Sequence, residues 1–338
     1  MSTVGNLAIT LSDYRKRMLP DGTLDPYIVE VLHQSNPMLD KIKWIEGNLP
    51  TGTQVTQWSH VPEPSIRVLN DGVPYMKGET KQITDTCMIL EGRSRVDIEV
   101  LALQKNKEAF RRSEDTVIIE GFSQKAARMF IYGDIAKDAS EFNGFAVRYN
   151  TLVGDKNSAG YQVISAGTPN AGALNTSAFL IGFGERASAG VYPLNTEMGL
   201  KRRDLGEQRA EGPNGPFQAL ETLFNWKLGL TVKDIRQNAR ICNIDVTKLP
   251  DITSAAGKEL INKFVRAKNR IRNLSQVGTD FGWYVDDNVV DFLECYLIDK
   301  NNVHVTRQEL MGKMPQLYVA GIPVYKMDAI TATETAIV

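Results

Sequence analysis

An α+β fold follows from three features of the sequence. A long amphipathic helix is expected over 113–133, a polar two-stranded excursion runs from Trp44 to Leu90, and a β-rich body over 151–250 is followed by two further helices. Everything before the long helix reads as an arm and a hairpin. Everything after it reads as a separate body.

The long helix comes first because it anchors the rest. Ser113 is the expected N-cap, with Glu114 and Asp115 suited to the positive helix end. Ile118, Phe122, Ala126 and Met129 form one apolar stripe, expected to be buried against a sheet that includes the C-terminal strand. Gly121 weakens the helix by about 1 kcal/mol relative to Ala, which suggests close approach of another backbone. Gly133 is the stop.

The chain in order supplies the other elements. Leu7, Leu11, Tyr14 and Met18 are spaced as on a helix, ended by Pro20-Asp21-Gly22. Asp25-Pro26 opens a short second helix to His33. From Trp44 to Leu90 repeated Gly and Pro exclude helix. Two extended stretches, about 51–61 and 80–90, flank a polar middle with turns at Asn70-Asp71-Gly72 and Lys77-Gly78-Glu79. A hairpin isolated in water is marginal, so this projection is expected to lie on its own body or on a neighbouring chain. Gly92 to Ala102 reads as strand passing into helix, and Gln104 to Arg112 as a short charged helix. In the body, Ala178–Gly184 is an apolar strand and 217–232 alternates as a strand does. Lys201-Arg202-Arg203 sits in a polar stretch read as a loop. Ser254 caps a helix to Asn273, Trp283–Val285 is a strand, Asp287 caps a third helix, and strand character resumes after a turn at Asn301-Asn302.

Composition bounds the function. The 338 residues allow two compact units, and 42% hydrophobic with 23% charged residues is ordinary for a globular chain. A formal net charge of −1 points to neither nucleic acid nor a membrane. No apolar run is long enough to span a bilayer, and the N-terminus lacks the basic and apolar regions of a secretory signal. Cys87, Cys242 and Cys295 are far apart and in no CxxC pattern, so they read as buried or half-buried thiols in a reducing cytoplasm.

The search for chemistry yields no reaction centre, no metal site and no cofactor. Gly182-Phe183-Gly184-Glu185-Arg186-Ala187 matches a G-x-G-x-x-A string, but an extended segment follows where a dinucleotide site needs a helix. His33, His60 and His304 have no ligand-spaced partners. Asp286-Asp287 caps a helix more naturally than it forms a catalytic pair. Lys263, Arg266 and Arg270, in a helix that also holds Lys258, Lys268 and Arg272, form a basic contact face. A solvated face with chain-to-chain salt bridges fits it better than a nucleic-acid site, because no aromatic residues interleave with the charges. The chain is therefore expected not to be an enzyme.

Three features in order carry a resemblance. They are the polar excursion at 44–90, the helix ending Phe130-Ile131-Tyr132-Gly133-Asp134 before Glu141-Phe142-Asn143-Gly144-Phe145-Ala146-Val147-Arg148-Tyr149, and a close of Gly321-Ile322-Pro323-Val324, Asp328-Ala329-Ile330 and Thr333-Glu334. Together they resemble the major capsid proteins of tailed bacteriophages with the Hong Kong 97 phage capsid fold. Phe145 stands where that family more often has leucine.

The resemblance implies a map. Residues 1–45 are the N-terminal arm and the entry to a peripheral domain. Residues 46–91 are an extended loop lying over the adjacent subunit, with Asn70, Asp71, Gly72, Tyr75, Lys77 and Glu79 as its inter-subunit residues. Residues 92–150 and 315–338 are the peripheral domain around the 113–133 spine helix, and 151–314 the axial domain. It implies pentamers and hexamers of an icosahedral head enclosing double-stranded DNA by weak contacts, assembled in the host bacterial cytoplasm and retained in the virion. Implied partners are many copies of itself, a portal and, because the arm is short, a separate scaffolding protein; a decoration protein is compatible. Lys77 and Lys81 lie where some members crosslink, but no motif supplies a partner, so no crosslink is expected. The competing readings are an encapsulin-like compartment, an α+β enzyme, and a tail or baseplate protein.

Overall fold

Backbone hydrogen bonding around one very long strand organises the chain. The computed structural model describes residues 34, 36–60, 62–103, 106–156, 158–169, 174–212, 215–250, 255–298, 305–308 and 316–337. The expected helices before residue 34, the Ser254 cap and the turn at Asn301-Asn302 lie outside the described residues. A short helix α1 (Met38–Lys41) and strand β1 (Trp44–Glu46) lead into β2 (Gly52–His60), which pairs antiparallel with β3 (Glu79–Asp97). The two stretches expected to pair do so, but β3 runs on to Asp97 before the one-turn helices' territory begins at α2 (Ile98–Ala102). Helix α3 (Lys107–Tyr132) follows, then the single-turn α4 (Phe145–Arg148).

The body contains β4 (Val163–Ser165), β5 (Asn175–Phe183), β6 (Ser188–Tyr192), β7 (Lys201–Gly212), β8 (Gly215–Val232) and β9 (Asn238–Asp245). Helix α5 (Ala255–Arg270), β10 (Asp280–Val285), α6 (Asp287–Ile298), β11 (Val305–Gln308), β12 (Gln316–Val319) and β13 (Ile322–Lys326) complete it. The main path of the sheet is β11-β12-β13-β10-β5-β6-β8-β3-β2; β1 joins at β6, β7 at β8, and β9 links β5 to β4. Between its halves the path narrows to one register pair, Phe183 with Ser188. Segment 151–314 contributes strands to both halves, because β6 and β8 pair with each other and β8 with β3.

Strand β5 is buried along its whole length, which explains its unbroken apolar run. Phe179, Ile181 and Phe183 face a core shared with the end of α3 and with α4. Ala178 and Leu180 face a second core under α5 and α6, where Phe264 meets Trp283 edge-on at 4.6 Å between centroids.

The long helix differs from the sequence expectation at its start. It begins at Lys107, where the Asn106 side chain accepts from the Ala109 N–H at 3.1 Å. Ser113 lies inside the helix and its hydroxyl donates to the Phe110 carbonyl at 2.8 Å. The expected charged helix before it is simply its first turn and a half. At about 1.5 Å per residue, 26 residues span about 39 Å. Of the expected stripe, Ala126 and Met129 are buried, while Ile118 and Phe122 are half-buried. The stripe packs on β3 and β8, where Phe122 lies 6.2 Å from Phe224 and over Gly92. It does not pack on the C-terminal strand, because β13 pairs with β10 at the other half of the sheet.

Two glycines set the turn after α3, and Gly121 does not take part. A Cβ on Gly144 would come within 2.6 Å of the Ile131 carbonyl oxygen, and one on Gly133 within 2.4 Å of that of Phe142. The Gly144 N–H donates to the Gly133 carbonyl at 2.8 Å. Gly121 is exposed, and a Cβ there would meet nothing within 4 Å, so no backbone approaches it. Gly144→Ala is expected to lose about 1–3 kcal/mol by overpacking, and Gly121→Ala to gain about 1 kcal/mol of helix propensity. Urea unfolding of the unassembled subunit checks both.

The three cysteines also separate. Burial raises the Cys87 thiol to about 11, with Asp85 adding to the shift, and burial raises Cys242 to about 11. Cys295 is exposed on α6, against the expectation that all three are sheltered. A thiol whose pKa lies above the solution pH stays protonated and unreactive. Iodoacetamide at pH 8 is expected to label Cys295 first, with Cys87 and Cys242 labelled only in denaturant, as read by peptide mass spectrometry.

Candidate assembly site

The most distinctive feature is the β2–β3 arm. Its register runs from Gly52 opposite Thr86 to His60 opposite Glu79, with a bulge between Trp58 and His60. Beyond it, residues 62–78 pair with no strand. Asn70 adopts a left-handed φ of 69°, the Gly72 N–H donates to Asp71 Oδ1 at 2.8 Å, and Arg67 Nε donates to the Asp71 carbonyl at 3.2 Å. The tip is thus a turn held by its own polar groups. Asn70, Asp71, Gly72, Tyr75, Lys77 and Glu79 are all exposed. So are Trp58, Ile66, Val68, Leu69 and Met76, with Ile66 at 97% and Leu69 at 92%. Several large apolar side chains this exposed on one projection mark an interaction surface.

The root of the arm is fixed firmly. Asp85, with its side chain 6% exposed, accepts from Arg148 Nη2 at 2.7 Å. The same guanidinium reaches the Leu230 carbonyl at 3.1 Å, and its Nε donates to the Asn143 carbonyl at 3.0 Å. Arg148 belongs to α4, so the elbow after the long helix holds the arm's base directly. Gln57 Nε2 adds bonds to the carbonyls of Val232 at 3.3 Å and Lys233 at 2.5 Å.

The first half of α3 is clamped by charge beside a small apolar contact, in which the fully buried Phe110 packs with Val96 and Leu101. Arg111 meets Asp204 at 2.8 Å and the Thr222 hydroxyl at 2.9 Å, and Arg202 meets Asp115 at 2.7 Å. The Arg111 hydrogen bond holds the Asp204 carboxyl below the usual carboxylate range. Residues 201–203 are therefore part of strand β7, paired with β8, and not the loop the sequence suggests. Almost every β7 side chain is polar, so hydrophobic alternation could not reveal it.

The expected basic face does not form. Lys263 pairs with Glu259 at 2.9 Å. Arg270 turns inward, donating to the carbonyls of Tyr161 and, at 3.0 Å, Val163, with its guanidinium over the Tyr161 ring. Lys268 donates to the Ala320 carbonyl at 2.6 Å. Of the three expected residues, only Arg266 is exposed. The glycine pair at 182 and 184 ends β5 and turns into β6 with no helix following. Asp286, not Asp287, occupies the cap: its carbonyl accepts from Val289 and Val290, while Asp287 pairs with Lys326 at 2.7 Å.

A 280 Å³ groove lies between β9 and α5. Its Lys248 and Asp245 are already paired at 3.0 Å, and its Asn243 exchanges hydrogen bonds with the backbone of Ile337 at 2.8 and 2.9 Å. Among the described residues no group of acidic, histidine or cysteine side chains could hold a metal, and no helix is long and apolar enough to cross a membrane.

One constellation escaped the sequence reading. Arg240 on β9, 5% exposed at its side chain, donates to Glu334 at 2.8 Å, to Ser177 Oγ at 3.0 Å, and to the carbonyls of Ala146 at 3.0 Å and Tyr149 at 2.9 Å. Glu334 also accepts from the Tyr132 hydroxyl at 2.5 Å and from Ser177 Oγ. Burial, then the Glu334 charge, push the Tyr132 hydroxyl pKa upward. An arginine inside the apolar run Asn238–Asp245 was the available signal, since a buried guanidinium needs a carboxylate.

A long helix across a mixed sheet, with a projecting hairpin and no assembled reaction centre among the described residues, defines a shell subunit of the Hong Kong 97 phage capsid fold. A bacteriophage epsilon15 structure is 29% identical over 100% of this chain and 99% of that one, with a TM-score of 0.78. The model of the family described as major capsid protein GP7 matches residues 20–338, and the chain belongs to that family. It is a phage major capsid protein, a component of the virion whose copies build the shell. The bacteriophage JBD30 capsid is more distant, at 10% identity over 95% and 99% of the two chains and a TM-score of 0.49. The holo-SrpI encapsulin complex from Synechococcus elongatus PCC 7942 is 11% identical over 71% and 97%, with a TM-score of 0.44. No curated protein matches the chain.

Removing one member of a buried ion pair leaves the other without compensation. Asp85→Ala is expected to lower subunit stability by about 3 kcal/mol, measured by urea unfolding, while Arg112→Ala, which removes an exposed pair with Glu108, changes it by less than about 1 kcal/mol.

Proposed function

We propose that copies of this chain close into the pentamers and hexamers of an icosahedral head around double-stranded DNA, with the β2–β3 arm of each copy lying over an adjacent one. The observation that carries this reading is the arm's tip. Ile66, Leu69 and Tyr75 stand in solvent while the arm's root is pinned by Arg148 and Asp85. Apolar side chains held out in solvent from a fixed root gain their burial from another surface, and a heterologous contact of this kind generates closed rings and shells when its rotation closes.

The proposed parts are the N-terminal arm at 1–45, the extended loop at 46–91, a peripheral unit around α3, and an axial unit that meets its copies at five- and six-fold centres. One change follows from the strand pairing: β6–β8 go with the peripheral unit, and β12–β13 with the axial one. The function is structural and not catalytic. Scaffolding protein and portal are the proposed assembly partners, a decoration protein is compatible, and assembly takes place in the host bacterial cytoplasm. With Lys263, Lys268 and Arg270 engaged within the chain, DNA contacts are weak and local.

Deleting residues 66–79 tests the arm. Co-expressed with scaffold, the variant is expected to give folded capsomers and defective or unstable shells by sedimentation and negative-stain microscopy. Shells of wild-type yield and stability would refute the assignment.

A further inference from the structure

The C-terminal segment after β13 returns across the body and reaches, through Arg240, the turn that holds the arm's root. The Glu334 N–H donates to the Asn175 carbonyl at 2.8 Å, forming an isolated bridge beside β5. The Ile337 N–H donates to Asn243 Oδ1 at 2.9 Å. Between these two ties the Glu334 carboxylate enters the interior, where its side chain is 7% exposed.

Three donors from three elements converge there. Tyr132 comes from the last turn of α3, Ser177 from β5 and Arg240 from β9. Arg240 is the relay, because its other Nη1 bonds hold the Ala146 and Tyr149 carbonyls of the elbow. Arg148, in the same turn, holds Asp85 at the arm's root. Every link in this path is a charged or charge-assisted hydrogen bond with named geometry, and such bonds are roughly twice as strong as neutral ones. A buried carboxylate surrounded by donors is also intolerant of displacement, since any unmet partner becomes a desolvated charge.

We propose that the C-terminal strap is a positioning device for the arm, with Glu334 acting through Arg240 and helix α4 to set the direction in which β2 and β3 leave the body. The family motif quoted at Thr333-Glu334 supplies no such role. Glu334 reaches the arm's root only through Arg240 and α4, since the partners of its own carboxylate are Tyr132, Ser177 and Arg240. Its consequence for assembly rests on the capsid reading. The coupling itself is a property of the unassembled subunit.

Hydrogen exchange read by mass spectrometry on the full-length unassembled subunit tests it. Glu334→Gln keeps the side chain's shape but presents an amide to Arg240, so the carboxylate's three donors cannot all be met. Exchange is expected to rise about tenfold in peptides covering 143–150 and 81–90, with little change over 255–270. Val324→Ala, in the core beneath α5 and α6, serves as the stability control. It is expected to lower the melting temperature without raising exchange at 81–90. In an Asp85→Asn background, Glu334→Gln is expected to raise exchange at 143–150 but add nothing further at 81–90.

Should Glu334→Gln fail to fold, Tyr132→Phe removes a single donor, and it is expected to give the same pattern at about threefold. Loss of protection confined to 175–177 and 331–337, or an identical pattern in Val324→Ala, overturns the proposal. Unchanged exchange at 81–90 with normal shells overturns it and leaves the capsid reading standing. Wild-type subunits that form no shell with scaffold, yet show the expected exchange pattern, overturn the capsid reading and leave the coupling standing.

Discussion

Strand β3 is the constraint on which the structure depends. One unbroken segment of 19 residues supplies both the inner strand of the arm and a central strand of the body. Its first half bonds to β2 and its second half, from Cys87 to Asp97, to β8. Side chains along a strand alternate faces, so a slip of one residue in either ladder would invert every side chain in that ladder. The two ladders therefore enforce each other's register. Helix α3 lies across the second ladder, with Phe122 seated over Gly92, and the elbow after it returns to hold Asp85 in the first. Helix, elbow and arm form a closed circuit around a single strand.

Helix α3 is attached by two kinds of contact. From Ala126 to Ile131 it is held by apolar burial, where Phe130 packs against Trp44 and Phe142 with centroids at 6.0 and 5.3 Å. From Arg111 to Asp115 it is held by ion pairs to β7 and by a bond to Thr222 of β8. Partly exposed ion pairs weaken as ionic strength rises, while apolar burial does not depend on charge screening. The salt-sensitive pairs thus lie between two apolar anchors, Phe110 at the start of the helix and Ala126–Ile131 at its end.

Elements with a strong hydrophobic period were legible in the sequence. The two strands of the arm, the apolar β5, the alternating β8 and the helix α5 all lie close to where periodicity places them. Strand β7 was not legible, because a polar strand lying on a sheet edge has no apolar face to alternate. The start of α3 was misplaced because a serine before two acids imitates a cap, whereas Asn106 makes the actual one. Gly121 illustrates a one-way inference: a helical glycine permits close approach but does not require it. At the candidate site, the exposed tip residues followed from their polar, turn-rich context. The inward turn of Arg270 and the meeting of Arg240 with Glu334 depend on partners 94 to 109 residues away along the chain, which no local pattern encodes.

The continuity of β3 bears on how a closed container withstands force. A pull on the arm's tip would run along the strand axis into the body. The β3–β8 bonds lie across that axis, so the whole Cys87–Asp97 ladder is loaded in shear and its bonds strain together instead of opening one after another. Tension on the arm would therefore be carried from β3 into β8 by the whole ladder at once.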